Sequence, residues 1–413
     1  MYAFRKPFTA GTFETVSLNS IGLKTTLVIA QLAGYTLSKF IGIPFVSGLR
    51  RDRRTAGIIG LILFAELSLI GFAYVPTPWK PVMMFLNGLP LGMVFGIVLS
   101  YLEGRKQTEA LSAALCASFI VSSGVVKSIG RWMIDDLGYS EFTMPMLVGL
   151  VFLPPLLLSV WLLQSTPPPD RQDRRLRRER EPMTRAARLL FWRAYWPGLS
   201  MLVLVYVALT VVRTIRDDFG VEIWRDLGVE KKPSVFARTE LVVAIIVTTF
   251  NGLTMMITHN LKAIRYTVAI MSFSFALVAA SAVLQGTGST SPFWFMVSCG
   301  VGLYIPYVAF HTTLFERLVA VSRHPGNLVF LMYVADALGY LGYTFVLIAR
   351  TFLSSPDSIL PAFRFVLVAV GMLSVGVLVV ALLYFQRALR GAAESRQHED
   401  AAQAEPNPSR PSV

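Results

Sequence analysis

The chain has 413 residues, 54% of them hydrophobic and only 15% charged, with a mean hydropathy of +0.57; that is too apolar for a soluble chain of this length and makes lipid its main solvent. The net charge of +13 would suit nucleic acid, but the basic residues lie in short loops between apolar segments, which argues against a nucleic-acid-binding domain. The alternating ten-residue pattern of a membrane β-barrel is missing, so the apolar segments must satisfy their backbone groups as helices.

In chain order, residues 1–23 show no secretory signal. Eleven complete spans follow, at roughly 25–48, 56–75, 81–102, 109–130, 143–163, 197–215, 241–259, 266–285, 292–314, 328–350 and 362–385, each near the ~20 residues that cross a bilayer core. The loops with Arg50, Arg51, Arg53 and Arg54, with Arg105 and Lys106, with the block Arg171 to Arg193, with Lys262 and Arg265, and with Arg317 and Arg323 share one side. The positive-inside rule makes that side cytoplasmic, together with a tail carrying Arg387 and Arg390.

Residues 164–196 divide five spans from six and open with Pro167-Pro168-Pro169 before an arginine-rich block, which marks a linker. The expected domains are therefore an N-terminal bundle over 1–163, a basic cytoplasmic linker over 164–196, a C-terminal bundle over 197–387 and a disordered tail over 388–413. Within the linker, Met183 to Trp196 sets Arg185 and Arg188 beside Leu189, Phe191, Trp192 and Trp196. That pattern suits either an amphipathic helix at the interface or ordinary positive-inside anchoring. Cys116 and Cys299 both fall inside spans and read as packing residues.

The run Gly34-Tyr35-Thr36-Leu37-Ser38-Lys39-Phe40, followed by Ser47-Gly48-Leu49-Arg50-Arg51-Asp52-Arg53-Arg54, resembles the second span and following loop of the major facilitator superfamily. More narrowly it looks like the organophosphate:phosphate antiporters. Tyr2-Ala3-Phe4-Arg5-Lys6-Pro7-Phe8 is similar to the Arg-Lys element of that family's first span, and Arg213 with Asp218 and Phe219 is similar to its seventh-span arginine and following Asp-Trp pair. The resemblance implies an all-α, polytopic, two-bundle fold in which Arg5 and Arg213 face each other across a central cavity. Where that family has Cys-Ala-His, this chain has Cys116-Ala117-Ser118, so Ser118 replaces a protonatable contact. Twelve spans are implied, yet only four residues precede Arg5; the expectation is eleven complete spans plus a truncated first helix, with the true start upstream.

An ionisable group at a helix centre costs about 2.5–3.5 kcal/mol on insertion scales, so each is a candidate for function. Two guanidinium forks, Arg5 and Arg213, could clamp one phosphoryl group; the alternative is that both snorkel to the interface. Lys39 would add a third cation for a divalent anion, or else pair with Glu66 on the next span. Lys127 would snorkel, pair with Asp135 or touch substrate. Asp336, near Tyr340 and Tyr343, could bind the proton of a symporter or partner a neighbouring cation. In Tyr304-Ile305-Pro306-Tyr307 the proline bends its helix, passively or as a gate. Tyr304, Tyr307 and Tyr340 would wall a polar solute or belong to an aromatic girdle.

No metal-ligand spacing, phosphate-cradling glycine loop or nucleophile-base pair is present, so neither enzymatic chemistry nor a cofactor is expected. The expected function is secondary transport of a small anionic solute by alternating access, by exchange because an empty cluster of cations would resist closure. A proton-coupled symporter and a membrane solute sensor remain alternatives, and the arginine-rich linker suggests a lipid-handling protein as a third. The expected setting is a bacterial cytoplasmic membrane, with the chain acting as a monomer whose partners are lipid and a small molecule.

Overall fold

A computed structural model describes residues 1–14, 17–18, 21–48, 51–102, 108–167, 185–230, 232–257, 259–322, 328–352 and 358–404. All the long elements are helices. Two 3₁₀ turns, Tyr2–Phe4 and Pro7–Ala10, and a two-residue antiparallel ladder of Ser17–Leu18 with Ile21–Gly22 lead into α1. The N-terminal half continues with α1 (Leu23–Gly48), α2 (Arg51–Tyr74), α3 (Lys80–Leu102), α4 (Thr108–Asp135) and α5 (Met144–Gln164). The C-terminal half comprises α6 (Arg185–Asp218), α7 (Gly220–Asp226), α8 (Ser234–Met255), α9 (Asn260–Gly286), α10 (Pro292–Ala309), a π turn (Phe310–Leu314), α11 (Phe315–Val321), α12 (Leu328–Phe352) and α13 (Leu360–Ala404).

Among the described residues, ten helical segments are long and apolar enough to cross a bilayer, and α1, with 26 residues, has the length of another span. Each of the eleven sequence-derived spans thus falls on a helix. The 3₁₀ turns bury Phe4, Phe8 and Ala10 against α4 and α5.

In lipid, helices associate through close packing and not through the hydrophobic effect, so small residues sit at the tightest crossings. The α1–α3 crossing shows this reciprocally: a Cβ on Gly34 would lie 2.1 Å from the Phe85 carbonyl oxygen, and one on Gly88 would lie 2.1 Å from that of Gln31. In the C-terminal half α9 packs on α10 and α13, and α6 packs on α12 and α13. The halves meet along two seams, α4 against α8 and α1 against α12.

Two helices extend beyond the spans read from the sequence. The amphipathic stretch is continuous with the following span: α6 runs from Arg185 and bends at Tyr195 (φ −124°, ψ 15°), two residues before Pro197, as expected where a proline ring meets the preceding turn. Its Leu189, Leu190 and Trp196 are exposed, while Phe191 is buried. Met183, Thr184 and most of the arginine block lie outside the described residues. At the other end, α13 continues past the last span as far as Ala404, in a stretch rich in Ala, Arg, Glu and Gln, all strong helix formers; residues 405–413 lie outside the described residues.

Candidate functional site

The end of the bundle opposite the basic loops is closed by charge pairs that join the two halves. From the N-terminal half, Lys6 reaches Asp217 at 2.6 Å and Asp218 at 2.5 Å, and Lys24 reaches Glu222 at 2.6 Å. Lys127 also pairs with Asp217, to which Ser123 donates a hydrogen bond, and the Tyr343 hydroxyl donates to Asp218 at 2.9 Å. Three buried ammonium groups thus meet three buried carboxylates, each charge neutralised where it is desolvated. Of the alternatives for Lys127, neither snorkelling nor the Asp135 pair is formed: Asp135 binds Arg131 one turn away on α4, and Lys127 turns towards α6. On the same side, Arg216 binds Glu240 at 2.7 Å and the Met296 carbonyl at 3.0 Å.

Deeper in the bundle, Arg5 and Arg213 are both buried, at 7% exposure, and among the described residues neither has a carboxylate partner. The Arg5 guanidinium lies over Tyr35, 3.9 Å from the ring centre, with Tyr340 at 5.9 Å. Arg213 lies over Tyr307 at 4.3 Å, with Tyr304 at 5.8 Å. The electron-rich ring faces attract these cations but accept no in-plane hydrogen bond; among the described residues the Nε of each arginine is buried without an acceptor. Asp218 is within electrostatic reach of Arg5, yet it is engaged by Lys6 and Tyr343. The Tyr2 hydroxyl stands within electrostatic reach of both arginines, which places the two guanidiniums, one from each half, around a common region.

Lys39 of α1 crosses the inter-half seam to Asp336 of α12 at 2.5 Å, so the alternative of a Lys39–Glu66 pair is not formed and Asp336 partners a neighbouring cation. The face of α1 that carries Lys39 meets α12, whereas Glu66 on α2 is buried against Gly149 of α5, with no hydrogen-bond partner for either oxygen among the described residues. The Lys39 ammonium lies 5.2 Å from the Tyr35 ring centre and 4.8 Å from that of Tyr340, over the same two rings as Arg5. Asp336 also accepts a hydrogen bond from Tyr206 and lies 3.9 Å from His311 Nε2.

Of the residues singled out in the sequence, Arg5, Lys39, Arg213, Tyr304, Tyr307, Tyr340 and Asp336 therefore converge on one network. Ser118 does not join it: its hydroxyl turns back to the Leu115 carbonyl at 2.7 Å, and it lines a separate slot of about 480 Å³ with Tyr2 and Phe119 between α3, α4 and α5. Cys116, two residues earlier, is the α4 side chain within electrostatic reach of Arg213. Glu66 stands apart. Sequence reasoning passed over Tyr35, Tyr206 and the partners Lys6, Lys24, Asp217 and Glu222. Tyr35 was visible within the Tyr-x-x-Ser-Lys-Phe run; Tyr206 sits mid-span as a lone aromatic among apolar residues, and Lys6, Lys24, Asp217 and Glu222 lie outside the spans or near their ends, where charged residues are ordinary.

No curated protein sequence matches this chain. A family model described as "Family of unknown function (DUF5690)" matches residues 7–388. Among solved structures, a D-xylose-proton symporter superposes with a TM-score of 0.63 at 14% identity, covering 91% of this chain and 94% of that one. The likeness shows the fold, an all-α, two-bundle membrane fold of the major facilitator type.

Proposed function

The chain belongs to that family of unknown function, and we propose that it is a secondary transporter which carries a small, doubly charged anion by alternating access. One observation supports this reading above the others. Lys6, Lys24, Lys39, Lys127 and Arg216 each have a carboxylate within 2.7 Å, while Arg5 and Arg213 have none among the described residues. Two buried, permanently charged forks with unsatisfied donors are costly unless a guest neutralises them. A tetrahedral oxyanion has the charge and the acceptor geometry to accept both forks. The resemblance of Arg5, Lys39 and Arg213 to residues of organophosphate antiporters supports a phosphorylated or phosphate-like solute.

Alternating access supplies the mechanism. The ion pairs at the end opposite the basic loops close that end, and rocking of the halves along the α1–α12 and α4–α8 seams would open it while closing the other. With Lys39 already neutralised by Asp336, an empty site retains two uncompensated cations, which oppose closure around nothing and favour exchange. The setting is a bacterial cytoplasmic membrane with the C-terminus inside.

Equilibrium binding of labelled inorganic phosphate to the purified protein tests this reading. The wild-type chain should bind and Arg5→Gln and Arg213→Gln should each lose at least tenfold in affinity, about 1.4 kcal/mol. Absence of wild-type binding, or equal binding by all three, rejects the anion site. Uptake into proteoliposomes loaded with phosphate, compared with empty ones, then tests exchange.

A further inference from the structure

The π turn that follows α10 places His311 at the edge of the same network with its tautomer defined. Its Nδ1 lies 2.8 Å from the Tyr307 carbonyl oxygen, an atom that can only accept, so Nδ1 carries the hydrogen. In the neutral ring Nε2 is then the bare base. That nitrogen faces the Tyr206 hydroxyl at 3.4 Å and Asp336 Oδ1 at 3.9 Å; the second distance is outside hydrogen-bond range but within reach of a small side-chain movement. π turns recur at functional positions in helices, and this one sets a base beside the carboxylate that neutralises Lys39.

We infer that His311 Nε2 is a proton-binding site coupled to the anion site, with Asp336 exchanging partners between Lys39 and His311. A proton taken from water onto the Nε2 lone pair makes an imidazolium, to which Asp336 moves. Lys39 is thereby released to a site where its ammonium and the Arg5 guanidinium already lie over the same two tyrosine rings. The site gains one positive charge, so the proton strengthens anion binding. Linkage is reciprocal: anion binding must draw in a proton to the same degree. The mobile species is then anion plus proton, whether the cycle is exchange or symport.

The charged and titratable groups around the imidazole are consistent with this switch. Asp336 comes from α12, Lys39 from α1, Tyr206 and Arg213 from α6, and Tyr307 from α10. On α9, which also packs against the π turn, Lys262, Arg265 and Tyr266 are exposed and turned away. On α11, Arg317 is held by Asn260 at 2.8 Å, with Glu316 beside it in sequence. From α4, Cys116 stands near Arg213. Asp336 is the acid that an imidazolium at this place would meet.

The inference rests on the anion reading, and the test separates them. Sulfate is the probe, since it is a dianion at every pH used. Its binding to the purified full chain is measured at about pH 6 and about pH 8, bracketing an ordinary histidine, together with proton uptake on sulfate addition in weak buffer. Wild-type affinity should be about tenfold higher at the lower pH, with proton uptake approaching one per sulfate there. His311→Gln, whose amide can still donate to Tyr307, should bind with little pH dependence; Asp336→Asn should bind more tightly than wild type at the higher pH, Lys39 being free.

Sulfate binding without proton uptake, or pH dependence retained in His311→Gln, overturns the inference and leaves the anion site standing. Absence of sulfate binding at either pH overturns both. The proton-uptake measurement on the wild-type chain needs no variant and is unaffected by any folding defect in the variants.

Discussion

At Arg213 the shape of the charge matters as much as its sign. A guanidinium over Tyr307 presents a planar fork away from the ring, whereas an ammonium on a flexible stem presents a point charge. Arg213→Lys keeps the charge and the possibility of a ring contact but loses the fork. Phosphate binding should therefore weaken by about 1.5–3 kcal/mol, the worth of a hydrogen bond to a charged group, or roughly tenfold to a hundredfold. Isothermal calorimetry on the purified variant gives the number, and unchanged affinity would mean that charge alone suffices. Arg5 and Arg213 were legible through the resemblance of Tyr2–Phe8 and of Arg213 with Asp218 and Phe219 to antiporter elements, and Lys39 and Asp336 because an ionisable group inside an apolar span is costly wherever it points. Their partners were not. Lys39 finds Asp336 across 297 positions and Lys6 finds Asp218 across 212, and such pairings depend on which helix faces meet. Sequence proximity suggested Glu66 for Lys39 and Asp135 for Lys127; in both cases the helix turned the charge elsewhere.

Among the elements, α1 carries the most. It supplies Tyr35 and Lys39 to the network and Lys24 to the closed end, and its position is set by the glycine-lined crossing with α3. Hydropathy alone located α1, since a span must be helical and about this long. The crossing was harder to foresee, because Gly34 and Gly88 matter only once the two helices are placed face to face. Gly88→Ala would put a methyl group 2.1 Å from the Gln31 carbonyl oxygen, rigid backbone that cannot rotate away. The helices must separate, at a cost of about 1–3 kcal/mol for overpacking. Gln31 also donates at 2.8 Å to the Arg5 carbonyl and at 2.8 Å to Asn87, which in turn donates to the Phe4 carbonyl at 3.0 Å. Displacing α1 from α3 therefore disturbs the segment that holds Arg5. Thermal unfolding in detergent should show a lowered midpoint, and phosphate binding should weaken in the same variant. A midpoint equal to wild type would mean that the crossing is looser than the geometry indicates.

For the whole molecule, function requires the two halves to be nearly as stable in one arrangement as in another, so the contacts that close one end must be strong enough to hold and weak enough to break. The set formed by Lys6, Lys24 and Lys127 with Asp217, Asp218 and Glu222 joins the halves at one end only. Its members would be parted when that end opens, so its energy bears on the balance between states more than on the integrity of either bundle. Glu222→Gln leaves the Lys24 ammonium buried without its carboxylate, which costs about 3–5 kcal/mol, and that cost falls on the closed arrangement. A penalty of this size shifts a two-state balance by roughly a hundredfold to several thousandfold. The opened population can be read at Thr9, which is fully buried beneath this set and whose carbonyl accepts from Lys24 at 3.0 Å. A cysteine introduced as Thr9→Cys should react slowly with a membrane-impermeant maleimide in the parent chain and much faster with Glu222→Gln added. Replacing both partners, Lys24→Met with Glu222→Met, strands no charge and substitutes apolar packing of similar size, a change that is often neutral or better for a buried pair. Protection should return. If Glu222→Gln reacts no faster than its parent, something other than these pairs holds the end closed, and the seam of α4 with α8 becomes the element to alter next.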